Sequence, residues 1–161
     1  MNFETTATAV LNGYHTHRWP DDSIQNIGQG SFRTAFLHDG WVYKVTRDNR
    51  DYHNENEYLN FLRALDLELP AHVKIPACEL VQATCPHCNV TQHVMVMEHI
   101  EGEFHSFAKS SEQTWRVINP EYDPAYAARY NDMLAVLGLY DLCGTNVIIN
   151  NEGWWPIDLQ M

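Results

Sequence analysis

Cations are scarce in this chain of 161 residues: Lys and Arg total 10 against 21 Asp and Glu, a formal charge of −11. The acidic residues are scattered singly and in pairs. This excludes a nucleic-acid binder that works through phosphates, and leaves either a soluble acidic surface or a charge mimic that docks on a basic protein. Long apolar runs are also missing, which argues against a membrane partner. Met1-Asn-Phe-Glu-Thr-Thr6 carries neither a basic region nor an apolar signal core, so a cytoplasmic protein is expected. Cysteine is sparse, four residues with two of them in Cys85-Pro-His-Cys88, unlike a secreted disulfide scaffold. Neither an internal repeat nor a low-complexity tract occurs. At 45% hydrophobic residues, the chain can bury one sizeable core, and one compact domain is expected overall.

What is present begins with β-type patterning. Ser23 to Leu37 alternates around a Gly-rich bend, and His38-Asp-Gly40 supplies a turn before Trp41-Val-Tyr-Lys-Val45. Between Asp48 and Leu65 the period changes: Tyr58, Leu59, Leu62 and Leu65 recur at three- and four-residue spacing, which predicts a helix with those residues buried. Lys74–Thr84 and Val90–Ile100 read as strands, with Cys85-Pro-His-Cys-Asn89 as the tight turn between them. Ser110 to Gln113 has the form of a capping box opening a short helix. Asp123 as N-cap, Pro124, Tyr126, Tyr130, Met133, Leu134, Leu137 and the terminator Gly138 predict a better one. The expected order is three strands, a helix, two strands, then helices and two short closing strands.

Gly28-Gln-Gly30 does not suit a dinucleotide fold, whose glycine turn opens a helix, because an alternating strand pair follows. An ordinary hairpin turn and a glycine flap over phosphates both fit. Lys44, between Val42 and Val45, is a cation in an otherwise interior segment, suited either to nucleotide phosphates or to snorkelling toward solvent. Its expected helix partner is Glu55, beside the leucine stripe, with Glu57 as the alternative. The last segment, Asp141-Leu-Cys-Gly-Thr-Asn146 through Gly153 to Ile157-Asp158, resembles the order in which kinase-like enzymes present a base, a metal-binding amide and a metal-binding carboxylate.

Taken together, these residues resemble the protein-kinase-like superfamily from Ile24 to Asp158. Ile27-Gly-Gln-Gly-Ser-Phe-Arg-Thr-Ala35 is similar to the glycine loop, Trp41–Val45 to the strand carrying the phosphate-binding lysine, and Asn54-Glu-Asn-Glu-Tyr-Leu59 to the helix with its ion-pair glutamate. Val94–Gly102 is similar to the strand and hinge that grip adenine, with Met97 as gatekeeper. The resemblance implies an α+β fold with a five-stranded antiparallel N-terminal sheet, one crossing helix and an abbreviated helical C-terminal part, divided as 1–101 and 102–161. It implies ATP and magnesium as cofactors. Nucleotide would be bound by Ile27, Gly28, Gly30, Ser31, Ala35, Val42, Lys44, Met97, Glu98 and His99. Asp141 would orient or deprotonate the acceptor hydroxyl, Lys44 and Glu55 would form the phosphate-side pair, and Asn146 and Asp158 would hold magnesium.

Departures from the pattern are Arg33 at the third loop glycine, Leu139 for the catalytic-loop histidine, and Asp158-Leu-Gln160 without a glycine. They point to a divergent, bacterial or phage type. The chain also stops three residues after Asp158, without the segments that usually follow. Two outcomes are open: phosphoryl transfer to a small or docked acceptor, or a pseudokinase-like module that binds and inhibits or scaffolds a target. A dimer or partner protein is expected to cover the truncated face, with Trp154 and Trp155 as contact candidates, although paired tryptophans more often lie in a core.

For Cys85 and Cys88, a redox role would need a helix start, but Val90, Val94 and Val96 continue a strand. Zinc would need two further ligands. Cys78 and His93 lie about 16 Å along the strands at ~3.3 Å per residue, so zinc would require His53, His72, Cys143 or a second chain. A reduced, metal-free turn is the expectation. The nine histidines form no cluster in sequence.

Overall fold

The computed structural model describes residues 2–19, 22–47, 50–104, 107–109, 115–117, 124–137 and 146–159. Its residues group into two compact units, 1–58 with 77–99, and 59–76 with 100–161. The first unit is built on a five-stranded antiparallel sheet. Strands β1 (Gln25–Gln29), β2 (Arg33–His38), β3 (Trp41–Thr46), β4 (Cys78–Thr84) and β5 (Thr91–Glu98) lie in the order β1-β2-β3-β5-β4. The fold class is α+β, as expected.

Alternation along β3 assigns its side chains to two faces. Tyr43 and Val45 join Phe36, Val81, Ala83, Val94 and Val96 in the apolar core, while Val42, Lys44 and Thr46 point the other way. The Asp39-Gly40 turn between β2 and β3 has φ of 48° and 77°, the left-handed pair that this hairpin connection requires.

A helix outside the expected elements covers the apolar face. Helix α1 (Phe3–Thr16) starts at Asn2, whose side chain accepts from the Thr5 amide at 3.3 Å, and ends with His17 in the left-handed region. Its Ala7, Val10 and Leu11 are fully buried in the core cluster. Burying a Val or Leu side chain contributes about 1.5–3 kcal/mol, which explains why a stretch with a modest sequence pattern docks as a helix. Phe3, at the first turn, packs edge-on against Trp41 with ring centroids 4.7 Å apart.

Helix α2 (Tyr52–Leu65) forms where expected but turns a different face inward. Leu59, Leu62 and Leu65 are 47%, 39% and 61% exposed, whereas Asn54, Glu57, Asn60, Phe61 and Ala64 are buried. The leucine stripe expected in the interior is therefore on the surface. The reason is polar satisfaction: buried strand carbonyls and cations need partners that leucine does not offer. Asn54 Nδ2 donates to the Lys44 carbonyl at 2.7 Å and the His93 carbonyl at 2.8 Å, stapling the start of α2 to β3 and β5. Asn54→Ala is expected to destabilise by about 1–3 kcal/mol, measured by urea denaturation.

In the second unit, β9 (Val147–Ile149) pairs with β10 (Trp154–Pro156) and with β6 (Glu103–Phe104). Strands β7 (Phe107–Lys109) and β8 (Trp115–Val117) form a separate hairpin. The helix expected from Ser110 to Gln113 lies outside the described residues. Helix α3 (Pro124–Leu137) follows the expected boundaries, with Tyr130 and Met133 buried; its expected caps, Asp123 and Gly138, also lie outside the described residues.

The β9–β10 turn is organised by Asn150. Its Oδ1 accepts from the Glu152 and Gly153 amides and from the Trp155 indole. Gly153 has φ of 156°, and a Cβ there would come within 2.7 Å of the His72 carbonyl, so glycine is required. Trp154 is 2% exposed and bridges Val73, its amide donating to His72 O at 2.7 Å. The pair of tryptophans serves this unit's interior, with Trp154 in the core and Trp155 half-buried against Asn150; Trp154 is not available as a contact surface.

Candidate nucleotide site

Lys44 lies on β3, 8% exposed, and its Nζ donates to Glu57 Oε1 at 2.6 Å. Glu57 has no exposed surface, and its other oxygen is paired with Arg33 on β2. One carboxylate thus holds two cations. A buried ion set of this kind persists only when every member is satisfied, and it fixes the lysine's position on the face of β3 opposite α1. Glu55, the first choice for this partner, is not part of the pair: its side chain is 42% exposed and Oε1 meets His93 Nδ1 at 2.7 Å. Glu57 takes the role instead. Arg33, the departure at the third loop glycine, is the second cation on that carboxylate, so the substitution has a structural duty.

The β1–β2 turn closes with the Gly30 amide donating to Arg33 O at 2.8 Å. Ile27, Gly28, Gly30 and Ser31 are all exposed. A Cβ at Gly28 would meet nothing within 4 Å, and at Gly30 only Arg33 O at 3.8 Å, and neither glycine has positive φ. Phe32, beside them at the tip, is 42% exposed and stacks on His53 of α2 with centroids 4.6 Å apart.

Ala35 lies across from Lys44 in the β2–β3 register, and Val42 across from Met97 in the β3–β5 register. Val42 and Met97 are buried, so Ala35, Val42, Lys44 and Met97 share one face. At the end of β5 the Glu98 amide donates to Ala77 O at 2.8 Å, and its carboxylate accepts from the Ala77 amide at 3.3 Å. The His99 amide donates to Gly40 O. Cys78, across from Met97, has its thiol pushed up to about 11 by burial, with Lys44 opposing the shift; it stays protonated and unreactive at neutral pH.

In the second unit, the Ile157 amide donates to the Asn146 carbonyl at 2.8 Å, which brings the chain at Asn146 alongside the chain at Asp158. Asn60 Nδ2 donates to the Leu159 carbonyl at 2.7 Å, and Leu159 is buried. Asp158 is therefore anchored on both sides. Asp141 lies outside the described residues, as do Leu139 and Cys143.

No protein-family model matches this sequence, and no curated protein matches it. Among solved structures, the streptomycin–ATP ternary complex of the aminoglycoside phosphotransferase APH(2")-IIa is similar with a TM-score of 0.39 and 19% identity, covering 61% of this chain and 30% of that one. The ADP-bound APH(2'')-Ib is similar with a TM-score of 0.37 and 19% identity, over 61% and 30%. A GDP complex of aminoglycoside 2'-phosphotransferase-IIIa has a TM-score of 0.36 and 18% identity, over 65% and 32%. The chain spans about a third of the length of these structures. Scores this low describe partial likeness of fold and decide nothing about activity. What the chain's own geometry joins is a strand lysine to a helix glutamate, Lys44 to Glu57, with Arg33 on the same carboxylate.

Among the described residues, the histidines that the sequence offers as further zinc ligands are engaged elsewhere. His93 pairs with Glu55, His53 stacks on Phe32, and His72 contacts Arg129 O at 3.0 Å and the Trp154 ring. Cys85 is buried, Cys88 is exposed, and both are free thiols.

Proposed function

We propose that this chain binds magnesium-ATP and transfers its terminal phosphoryl group to a hydroxyl of a small molecule or protein. The observation that carries the reading is the buried Lys44–Glu57 pair, the element that kinase-like enzymes need to hold a lysine against nucleotide phosphates. Phosphoryl transfer asks the protein mainly for charge neutralisation and positioning. Lys44 supplies the cation for the α and β phosphates, with Glu57 orienting it. Gly28, Gly30 and Ser31 cover the phosphates, and Ile27, Ala35, Val42, Met97, Glu98 and His99 hold the base. Asn146 and Asp158 offer one amide and one carboxylate oxygen, hard donors that suit magnesium, which binds through few protein ligands and substrate phosphates. Asp141 is the residue proposed to orient the acceptor.

Thermal unfolding with and without magnesium-ATP tests the binding step. At a concentration about 100 times the dissociation constant, nucleotide should add about 2.7 kcal/mol; no shift at millimolar nucleotide overturns the reading. Transfer of labelled γ-phosphate should vanish in Asp141→Ala while binding survives, and transfer unchanged in that variant removes Asp141 from the mechanism. The two glycines offer a cleaner separation. Because neither is required by packing or backbone conformation, Gly28→Ala and Gly30→Ala should change stability by less than about 1 kcal/mol yet weaken nucleotide binding about tenfold, a difference of ~1.4 kcal/mol. Isothermal titration reads the second quantity.

The exposed Leu59, Leu62 and Leu65 favour a second reading, an interaction protein whose α2 stripe meets a partner. With a charge of −11, self-association is opposed and a basic partner protein is the fitting occupant. Sedimentation equilibrium showing a stable homodimer would contradict this choice.

A further inference from the structure

We propose that His15, Cys85 and Cys88 form a zinc-binding site that ties the end of α1 to the β4–β5 turn. Their ligand atoms, one ring nitrogen and two sulfurs, all lie within 4.8 Å of one another, and His15 Nδ1 is 3.2 Å from Cys88 Sγ. Tetrahedral zinc, with Zn–S of about 2.3 Å and Zn–N of about 2.0 Å, would place its ligand atoms roughly 3.5–3.8 Å apart. The three donors therefore need to move by only about an ångström or less to reach bonding positions. Two thiolates and an imidazole are a soft-to-borderline set that selects zinc over magnesium or calcium.

The turn itself is shaped for the task. The Cys85 amide donates to Val90 O at 2.8 Å and the Asn89 amide to Cys85 O at 2.9 Å, with Asn89 in the left-handed region, so backbone bonds close the turn that carries both cysteines.

His15 stands in the last turn of α1, whose Val10 and Leu11 cover the sheet, and it is 73 residues from Cys88 in sequence. A metal there would cross-link two distant parts of the first unit. Among the described residues no fourth His, Cys, Asp or Glu joins the group. Cys88 is exposed and His15 lines an open groove of about 650 Å³ with Tyr14, His17 and Trp19, so the fourth position faces water and metal has a route of entry. The proposal stands against the metal-free turn expected from the sequence and adds His15, which lies far from both cysteines along the chain.

The test uses the full chain without a metal-binding tag, purified under reducing conditions without chelator from zinc-supplemented culture. Elemental analysis should find about one zinc per chain in the wild type and in Cys78→Ser, and less than about a tenth of that in Cys88→Ser and in His15→Ala. His15→Cys should keep the metal, which separates ligation from a packing role of the ring. Cobalt added to apo protein should give intense visible bands and a near-ultraviolet thiolate transition in wild type that His15→Ala lacks. Chelation should lower the melting temperature reversibly, and zinc should restore it. Wild-type protein without zinc and without the cobalt spectrum overturns the proposal, as does a Cys85–Cys88 disulfide with no metal, or full zinc content in His15→Ala. None of these readouts involves nucleotide, so the outcome is independent of the phosphotransfer reading.

Discussion

Glu57→Ala is expected to lower the unfolding free energy by about 3–5 kcal/mol, because it strands two cations in the interior. Lys44 and Arg33 are each 8% exposed, and deleting the carboxylate they share removes the partner that offsets their desolvation. Glu57→Gln keeps the shape but not the charge and should fall in the same range. The contrast that makes the result specific is Glu55→Ala. Glu55 meets His93 at a partly exposed position, where an ion pair is worth about 0–1 kcal/mol, so this neighbour two residues away should leave stability almost unchanged. Urea denaturation followed by far-ultraviolet circular dichroism measures both variants. Equal stability of Glu57→Ala and Glu55→Ala would mean that α2 is not held through its buried carboxylate. If the functional reading holds, Glu57→Gln also loses nucleotide stabilisation, because Lys44 is no longer positioned.

Trp154→Ala should destabilise the second unit by about 3–5 kcal/mol, the usual range for deleting a buried aromatic. Trp154 is 2% exposed and contacts the His72 ring at a centroid distance of 5.4 Å. Its strand pairs with β9, and the Ile157 amide just beyond that strand bonds Asn146 O. The same variant should therefore abolish any magnesium dependence of nucleotide binding, since the backbone that brings Asn146 and Asp158 together is lost. Trp155→Ala removes one indole hydrogen bond to Asn150 and should cost about 1 kcal/mol. Denaturation curves together with nucleotide titration at varied magnesium test the pair. A Trp154→Ala protein with native stability and intact magnesium response would show that the hairpin does not depend on this anchor.

Much of the local structure was legible because its signals are local. Asp39-Gly40 specifies a tight hairpin by backbone conformation alone, Pro124 marks the start of α3, and Cys85-to-Asn89 reads as a turn whatever surrounds it. Lys44 on an apolar strand was visible as an anomaly. The facing of α2 was not. Moving from Glu55 to Glu57 turns a side chain about 200° around the helix at 3.6 residues per turn, and the leucine spacing favoured the wrong side. Hydrophobic periodicity assumes that a buried face is apolar, whereas this helix buries Asn54, Glu57 and Asn60 beside Phe61 and Ala64, because the elements beneath it present carbonyls and cations that need partners.

Helix α1 escaped for a related reason. Asn2 is a sound N-cap, and Phe3, Ala7, Val10, Leu11 and Tyr14 have helical spacing, but a run with several threonines is a weak helix former until the sheet offers it a face to bury against. Once it docks, it carries His15 to within reach of a cysteine pair 73 residues away, a meeting that no spacing rule between those residues predicts. The sequence by itself determined the α+β class, the glycine turn and the lysine strand, since these depend on neighbours along the chain. Only the tertiary structure decided which glutamate holds Lys44, why Arg33 stands where a glycine was expected, and which histidine faces Cys85 and Cys88, because each of those choices satisfies buried charge or sulfur on a distant element.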